Sequence, residues 1–145
     1  MSFLTSLTSR NSIPLLDQMA SFTQARHRVL TENVANIDTP GYRTRQLDPA
    51  AFQAALRRAA NARQKMTSPL RMHDTEQVRV DKRGRLQVTP ELEPADNLLF
   101  YDGTNGRIER QMAMLAENAM THQLTTELLR GKYEGLLTAI RGRIQ

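Results

Sequence analysis

Two long stretches of heptad-spaced apolar residues stand at opposite ends of this 145-residue chain, and a Pro-Gly break closes the first. Alternating steps of three and four from Ile13 pass through Leu16, Ala20, Thr23, His27, Leu30, Val34 and Ile37, and six of these eight positions are apolar. A seam kept for three heptads predicts an amphipathic helix that packs lengthwise on another helix. Leu15, Met19, Phe22 and Val29 widen the stripe on its flank, while Asp17, Gln24, Arg28 and Thr31 mark the wet side. Ser12 is placed to cap the start, and Pro14 sits in the first turn, where its missing N–H costs little. The helix must stop near Asp38, because Thr39 precedes Pro40 and is pushed out of the helical region. Gly41 can then supply the positive φ of a type II turn.

The same counting along the last 39 residues, 107–145, gives Ile108, Met112, Leu115, Ala119, His122, Thr126, Leu129, Tyr133, Leu136 and Ile140. These predict a helix from about Arg107 to Ile140, entered through the loop Asp102-Gly103-Thr104-Asn105-Gly106. Met120, Leu124, Leu128 and Leu137 add a second partial stripe, and a helix with two stripes has more than one neighbour to satisfy. Gly131 and Gly135 weaken it and mark a bend or a close approach.

Between the ends the pattern is short and broken. Asp48 or Pro49 opens a helix running to Arg63, with Phe52, Leu56 and Ala59 on one face. Gln77–Val80 and Arg85–Val88 alternate, and Asp81-Lys82-Arg83-Gly84 reads as the turn of a hairpin. Pro90 and Pro94 oppose anything longer. The expected fold is mainly α: an elongated pair of N- and C-terminal helices in a coiled-coil-like bundle, with an irregular, partly mobile middle holding a short helix and a β-hairpin. The expected division is 1–42 for the first helix and its corner, 43–106 for the middle and 107–145 for the last helix, with the helices packed as one domain.

Only 39% of the chain is hydrophobic and 5% aromatic, so a helix pair alone leaves an incomplete core. Ordering costs roughly 1–2 kcal/mol of backbone entropy per residue. The terminal helices are therefore expected to order fully only on association with neighbours. The net charge of +5 is unevenly spread, zero over residues 1–42, +3 over 43–106 and +2 over 107–145, but lysines and arginines are mixed among acids with aromatics elsewhere, which speaks against a nucleic-acid surface. Without cysteine there is no disulfide, thiolate zinc site or cysteine nucleophile. His27, His73 and His122 lack partners at metal-ligand spacing, and two of them fall in the seams as packing or registry residues. No phosphate loop, dinucleotide fingerprint or nucleophile elbow is found, so neither an enzyme, a cofactor, a metal nor a small-molecule substrate is expected. Met112, Met114 and Met120 read equally as core filler or as an adaptable contact surface.

One segment is more specific. Residues Glu32–Arg43 read Glu-Asn-Val-Ala-Asn-Ile-Asp-Thr-Pro-Gly-Tyr-Arg. Its Asn33, Ala35, Asn36, Thr39, Pro40, Gly41 and Tyr42 closely resemble the signature near the N-terminus of the flagellar axial proteins, the rod and hook family. Physically it makes a rigid corner, in which an Asn at a helix end bonds freed backbone groups, Pro40-Gly41 fix the exit and Tyr42 buries its ring. Asp102-Gly103-Thr104-Asn105, Glu109, Met112, Leu115-Ala116-Glu117-Asn118, His122-Gln123, Leu128-Leu129, Lys132-Tyr133 and Ala139-Ile140 resemble the end of the family's short proximal-rod members. The Arg-x-Tyr-Glu-Ala-Asn stretch of the other short rod branch is not seen. Gly106 and Arg107 depart from the pattern, which has an apolar residue and an acid there.

The resemblance implies a structural subunit of a bacterial flagellar basal-body rod, leaving the cell through the flagellar type III export apparatus without cleavage. Its helices would pack with copies of itself, with other rod proteins and at the junction with the membrane ring, forming a periplasmic shaft that transmits torque. The implied helix-packing interface is Ile13, Leu16, Ala20, Leu30, Val34, Ile37, Ile108, Met112, Leu115, Ala119, Leu129, Tyr133, Leu136 and Ile140. Phe3–Leu7 has two readings, an export element or the frayed start of the helix. The competing readings of the whole are a generic coiled-coil adaptor, the other short rod branch, and a basic nucleic-acid module.

Overall fold

The computed structural model describes residues 12–65, 70, 72–81, 83–93 and 103–142, with backbone alone at 63–65 and 103–107. The Phe3–Leu7 stretch lies outside the described residues. In chain order the elements are α1 (Ile13–Ala35), β1 (Arg45–Gln46), α2 (Pro49–Lys65), β2 (Val78–Val80), β3 (Leu86–Val88), β4 (Glu91–Leu92) and α3 (Gly103–Arg141). The mainly helical architecture with two long end helices and a short helix and strands between them is as expected.

Helix α1 starts at Ile13 because the Ser12 carbonyl accepts the N–H groups of Leu15 and Leu16, at 3.0 Å each. The Ser12 hydroxyl does not cap; it is buried without a partner, which corrects the expected role of its side chain. The helix ends at Ala35, two residues short of Ile37. Asn36 closes it by sending both its backbone N–H (3.1 Å) and its side-chain Nδ2 (2.8 Å) to the Glu32 carbonyl. Helix α2 is opened by Asp48, whose Oδ1 accepts Ala50 N–H at 2.7 Å and Ala51 N–H at 3.2 Å, while Pro49 has no N–H to satisfy. Helix α3 begins at Gly103, four residues before the expected start, so the Asp102–Gly106 loop is in fact largely the first turn of the helix.

Two small antiparallel pairs complete the middle. β2 and β3 form the expected hairpin, with Val78 opposite Val88 and Val80 opposite Leu86. Gly84 turns it at φ +79°, and the Asp81 carboxylate accepts the N–H groups of Arg83 and Arg85, at 2.8 Å each. β1 pairs with β4, Arg45 opposite Leu92 and Gln46 opposite Glu91, a contact between distant segments that no local pattern announced.

The core sits where the apolar count did not place it. Every fully buried apolar side chain among the described residues lies between Leu15 and Val78. Leu15, Leu16, Phe22 and Val29 of α1 meet Leu47, Phe52, Leu56, Ala59, Met72 and Val78 of the middle. Phe22 and Phe52 stack with centroids 4.0 Å apart and planes 2° from parallel. The middle, expected as partly mobile loops, thus supplies most of the core. Among its described residues, helix α3 adds only the half-buried Leu128 and Leu129 at its edge. No helix among the described residues is long and apolar enough to cross a membrane.

Candidate functional site

The pairing of the two end helices is polar at its centre. α1 and α3 run antiparallel, since Asn33 near the end of α1 meets Gln111 near the start of α3 and Thr23 meets His122 further along. Among the described residues of α3 the buried side chains are Gln111, Asn118 and Thr125, at 2%, 1% and 2% exposure and seven residues apart. That spacing puts them on one line of the helix, and it is the line that faces α1. Asn118 Nδ2 donates to the Thr23 carbonyl at 2.9 Å, and Thr125 returns its hydroxyl to the Thr121 carbonyl at 2.7 Å. Thr23 Oγ1 lies 2.8 Å from His122 Nδ1 and 3.0 Å from the Met19 carbonyl. A polar residue in a helix seam fixes register, at a cost in stability relative to an apolar one.

Arg26, also on α1, is buried in a cleft between the three helices, beside Phe22, Phe52 and Asn118. Burial pulls its guanidinium below the ordinary range, and the charges of Glu117 on α3 and Asp48 at the start of α2 pull back.

The corner after α1 closes around one side chain. Thr39 C=O accepts Tyr42 N–H at 3.1 Å, with Pro40 and Gly41 (φ +77°) between them, which is the type II turn. Ala35, Thr39, Pro40 and Gly41 lie on its exposed side. Asn33 is 0% exposed and makes four hydrogen bonds. Its Nδ2 donates to the Arg45 carbonyl (2.7 Å) and to Gln111 Oε1 (3.1 Å), while its Oδ1 accepts Arg45 N–H (3.0 Å) and the Tyr42 hydroxyl (3.1 Å). Of the two motif asparagines, then, Asn36 bonds the helix end, at a Glu32 carbonyl that its own N–H also reaches. Asn33 instead reaches forward to the strand and across to α3. Gln111 Nε2 in turn donates to Glu93 Oε2 at 3.1 Å, and Glu93 Oε1 pairs with Arg110 at 3.1 Å.

The expected interface residues fall into three groups. Leu16 and Leu30 are buried; Ile13, Ala20, Val34, Ile37, Ile108, Leu115 and Leu129 are half-buried; Met112, Ala119, Tyr133, Leu136 and Ile140 are exposed. With Thr23 opposite His122, the start of α1 falls opposite about residue 132. Tyr133, Leu136, Leu137 and Ile140, all about half exposed or more, continue α3 past that point. Met120 and Leu124, at 72% and 59% exposure, form a separate outward patch. His27 and His73 are exposed, and among the described residues no cluster of three or more His, Asp or Glu could hold a metal.

This chain is similar along nearly its whole length to a set of rod proteins. It is 30% identical over 135 residues to the flagellar basal body rod protein FlgB of Cereibacter sphaeroides, covering 92% of this chain and 96% of the relative. The chain belongs to the FlgB family. The Bacillus subtilis FlgB is 27% identical over 131 residues (90% of this chain, 94% of that one), and the Escherichia coli FlgB is 27% identical over 117 (80% and 83%). No family model and no solved structure matches the chain. In this FlgB-family chain, counting apolar residues passed over Gln111, Asn118, Thr125 and Glu93. A search for polar residues repeating every seven positions would have found the first three, whereas Glu93 carries no local signal.

Proposed function

We propose that this chain is a structural subunit of the flagellar basal-body rod that joins a helical shaft through its two end helices. One observation carries this: α3 spends its buried face on polar residues and leaves Met112, Tyr133, Leu136, Leu137 and Ile140 at 48–59% exposure. Tyr133, Leu136, Leu137 and Ile140 stand together over the last turns of α3, and an exposed apolar stripe of that kind marks a protein–protein surface. α1 and α3 with the corner form the assembly unit, and the stripe is the contact with copies of the same chain and with other rod proteins. Heterologous contacts of this kind build an open helical tube, whose many parallel seams resist twisting. The function is mechanical, with no catalytic step. Transport by the flagellar export apparatus without cleavage, and a place at the rod base in the periplasm, follow from the same assignment.

Photo-crosslinkers at Met112, Tyr133 and Ile140 test it. In intact basal bodies the expected links run to other rod subunits and to further copies. Links confined to cytoplasmic proteins overturn the assignment, and a stable dimer with no links in basal bodies favours an adaptor instead.

A further inference from the structure

We propose that Glu93 and Gln111 are positioning residues for the corner: an acceptor-only carboxylate sets the direction of a hydrogen-bond relay that ends on the backbone of Arg45. A side-chain amide presents a carbonyl on one side and an NH2 on the other, and its orientation is decided by what surrounds it. Glu93 can only accept, so it draws the Gln111 NH2 towards itself, at 3.1 Å. That turns Gln111 Oε1 towards α1, where it accepts from Asn33 Nδ2 at 3.1 Å. With Nδ2 committed to that side, Asn33 Oδ1 faces the Tyr42 hydroxyl and the Arg45 N–H, at 3.1 and 3.0 Å. Nδ2 also holds the Arg45 carbonyl, at 2.7 Å. Reversing Gln111 would put its oxygen against the carboxylate and its NH2 against that of Asn33, and reversing Asn33 would put its oxygen against the carbonyls of Gln111 and Arg45 and its NH2 against the Arg45 N–H. The relay is buried where direction matters most: Asn33 is 0% and Gln111 2% exposed. Buried networks of this kind are strong when complete and costly when one member is wrong.

The relay joins α3 to the chain on both sides of the corner. Glu93 follows β4 and its own N–H donates to the Thr44 carbonyl at 2.8 Å, so the carboxylate is anchored to the strand the corner leads into. The seating of α3 and the angle at which the middle leaves α1 are therefore one event. For assembly, a matter that rests on the rod reading above, the middle is presented at its working angle only when α3 is in place.

Residue-resolved amide exchange on the free full-length chain tests this without requiring assembly. Glu93→Gln keeps size and removes the acceptor-only character. It is expected to speed exchange of the Arg45 amide roughly tenfold, the factor that goes with one charge-assisted hydrogen bond, and to leave Leu56 and Ala59 in α2 unchanged. The double variant E93Q/Q111E moves the carboxylate to the middle of the relay, where it accepts from both sides, and restores Arg45 protection. Arg110→Ala removes the Arg110–Glu93 ion pair without altering either relay amide and leaves Arg45 as in the parent. An unchanged Arg45 in E93Q, a double variant without rescue, an equal effect from R110A, or a matching rise at Leu56 overturns the relay. If exchange behaves as expected and no cross-links form in basal bodies, the rod assignment fails while the relay stands.

Discussion

The two faces of α1 are built on opposite principles. Towards the middle it presents Leu15, Phe22 and Val29, seven residues apart, to the core cluster that holds Phe52 and Leu56. Towards α3 it presents Thr23, Arg26 and Asn33 to His122, Glu117 and Gln111. The first face holds by area removed from water, is non-directional and tolerates some sliding. The second gains little net stability per bond but admits only one alignment. Strength and alignment are thus assigned to different surfaces of one helix. A helix docked by alignment rather than strength leaves its own apolar residues for another partner.

Breaking the strong face has the largest effect. Phe52→Ala removes the ring stacked on Phe22 and is expected to destabilise the chain by about 3–5 kcal/mol, read from a denaturant midpoint. Breaking the aligning face at its most connected point comes next. Asn33→Ala leaves the N–H and C=O of Arg45 without their partners and is expected to cost about 2–3 kcal/mol. Here the loss should appear first as fast exchange around the corner, before α2 opens. The third variant converts one face into the other. Asn118→Leu removes a seam bond but leaves the Thr23 carbonyl its helical partner, so stability should change by no more than about 1 kcal/mol, in either direction. Its signature is lost uniqueness: disulfide trapping between cysteines placed on α1 and α3 should yield more than one register, where the parent yields one. The smallest effect is expected far from both faces. Bonds from the backbone N–H of Arg85, helped by its side chain and by Arg83, hold the Asp81 carboxyl below the ordinary carboxylate range. A lowered folded value means the hairpin turn gains stability above the unfolded value and loses it as the pH falls through the folded one. Carboxyl NMR titration of Asp81 should show the depressed midpoint, and Asp81→Asn should abolish the pH dependence of the turn.

What the sequence made legible follows the same division. The length of α1, its stop before Thr39-Pro40, the Asp48-Pro49 opening of α2 and the Gly84 hairpin were all readable, because each has a local cause in periodicity, a cap or a turn residue. The partner of each face was not. Phe22 and Val29 looked like the flank of a helix–helix seam, and only the packing of the middle shows that both join its core, with Phe22 stacked on Phe52. The aligning face was hidden because it is written in Gln, Asn and Thr, residues that an apolar template scores as gaps. The β1–β4 pairing joins two-residue strands forty-odd positions apart, too short to have a period at all. Asn33, Asn36 and Tyr42 could be singled out as corner residues, but the reach of Asn33 to Arg45 depends on a fold-back that only three dimensions supply.

That fold-back makes a closed ring of the backbone from Asn33 to Arg45, locked at one point by a side chain that bonds both the N–H and the C=O of a single residue. A ring has a fixed circumference. One residue added or removed between positions 36 and 44 would present Arg45 with its polar groups turned the wrong way, and no substitution elsewhere could compensate. Variation in chain length should therefore be forbidden inside the ring.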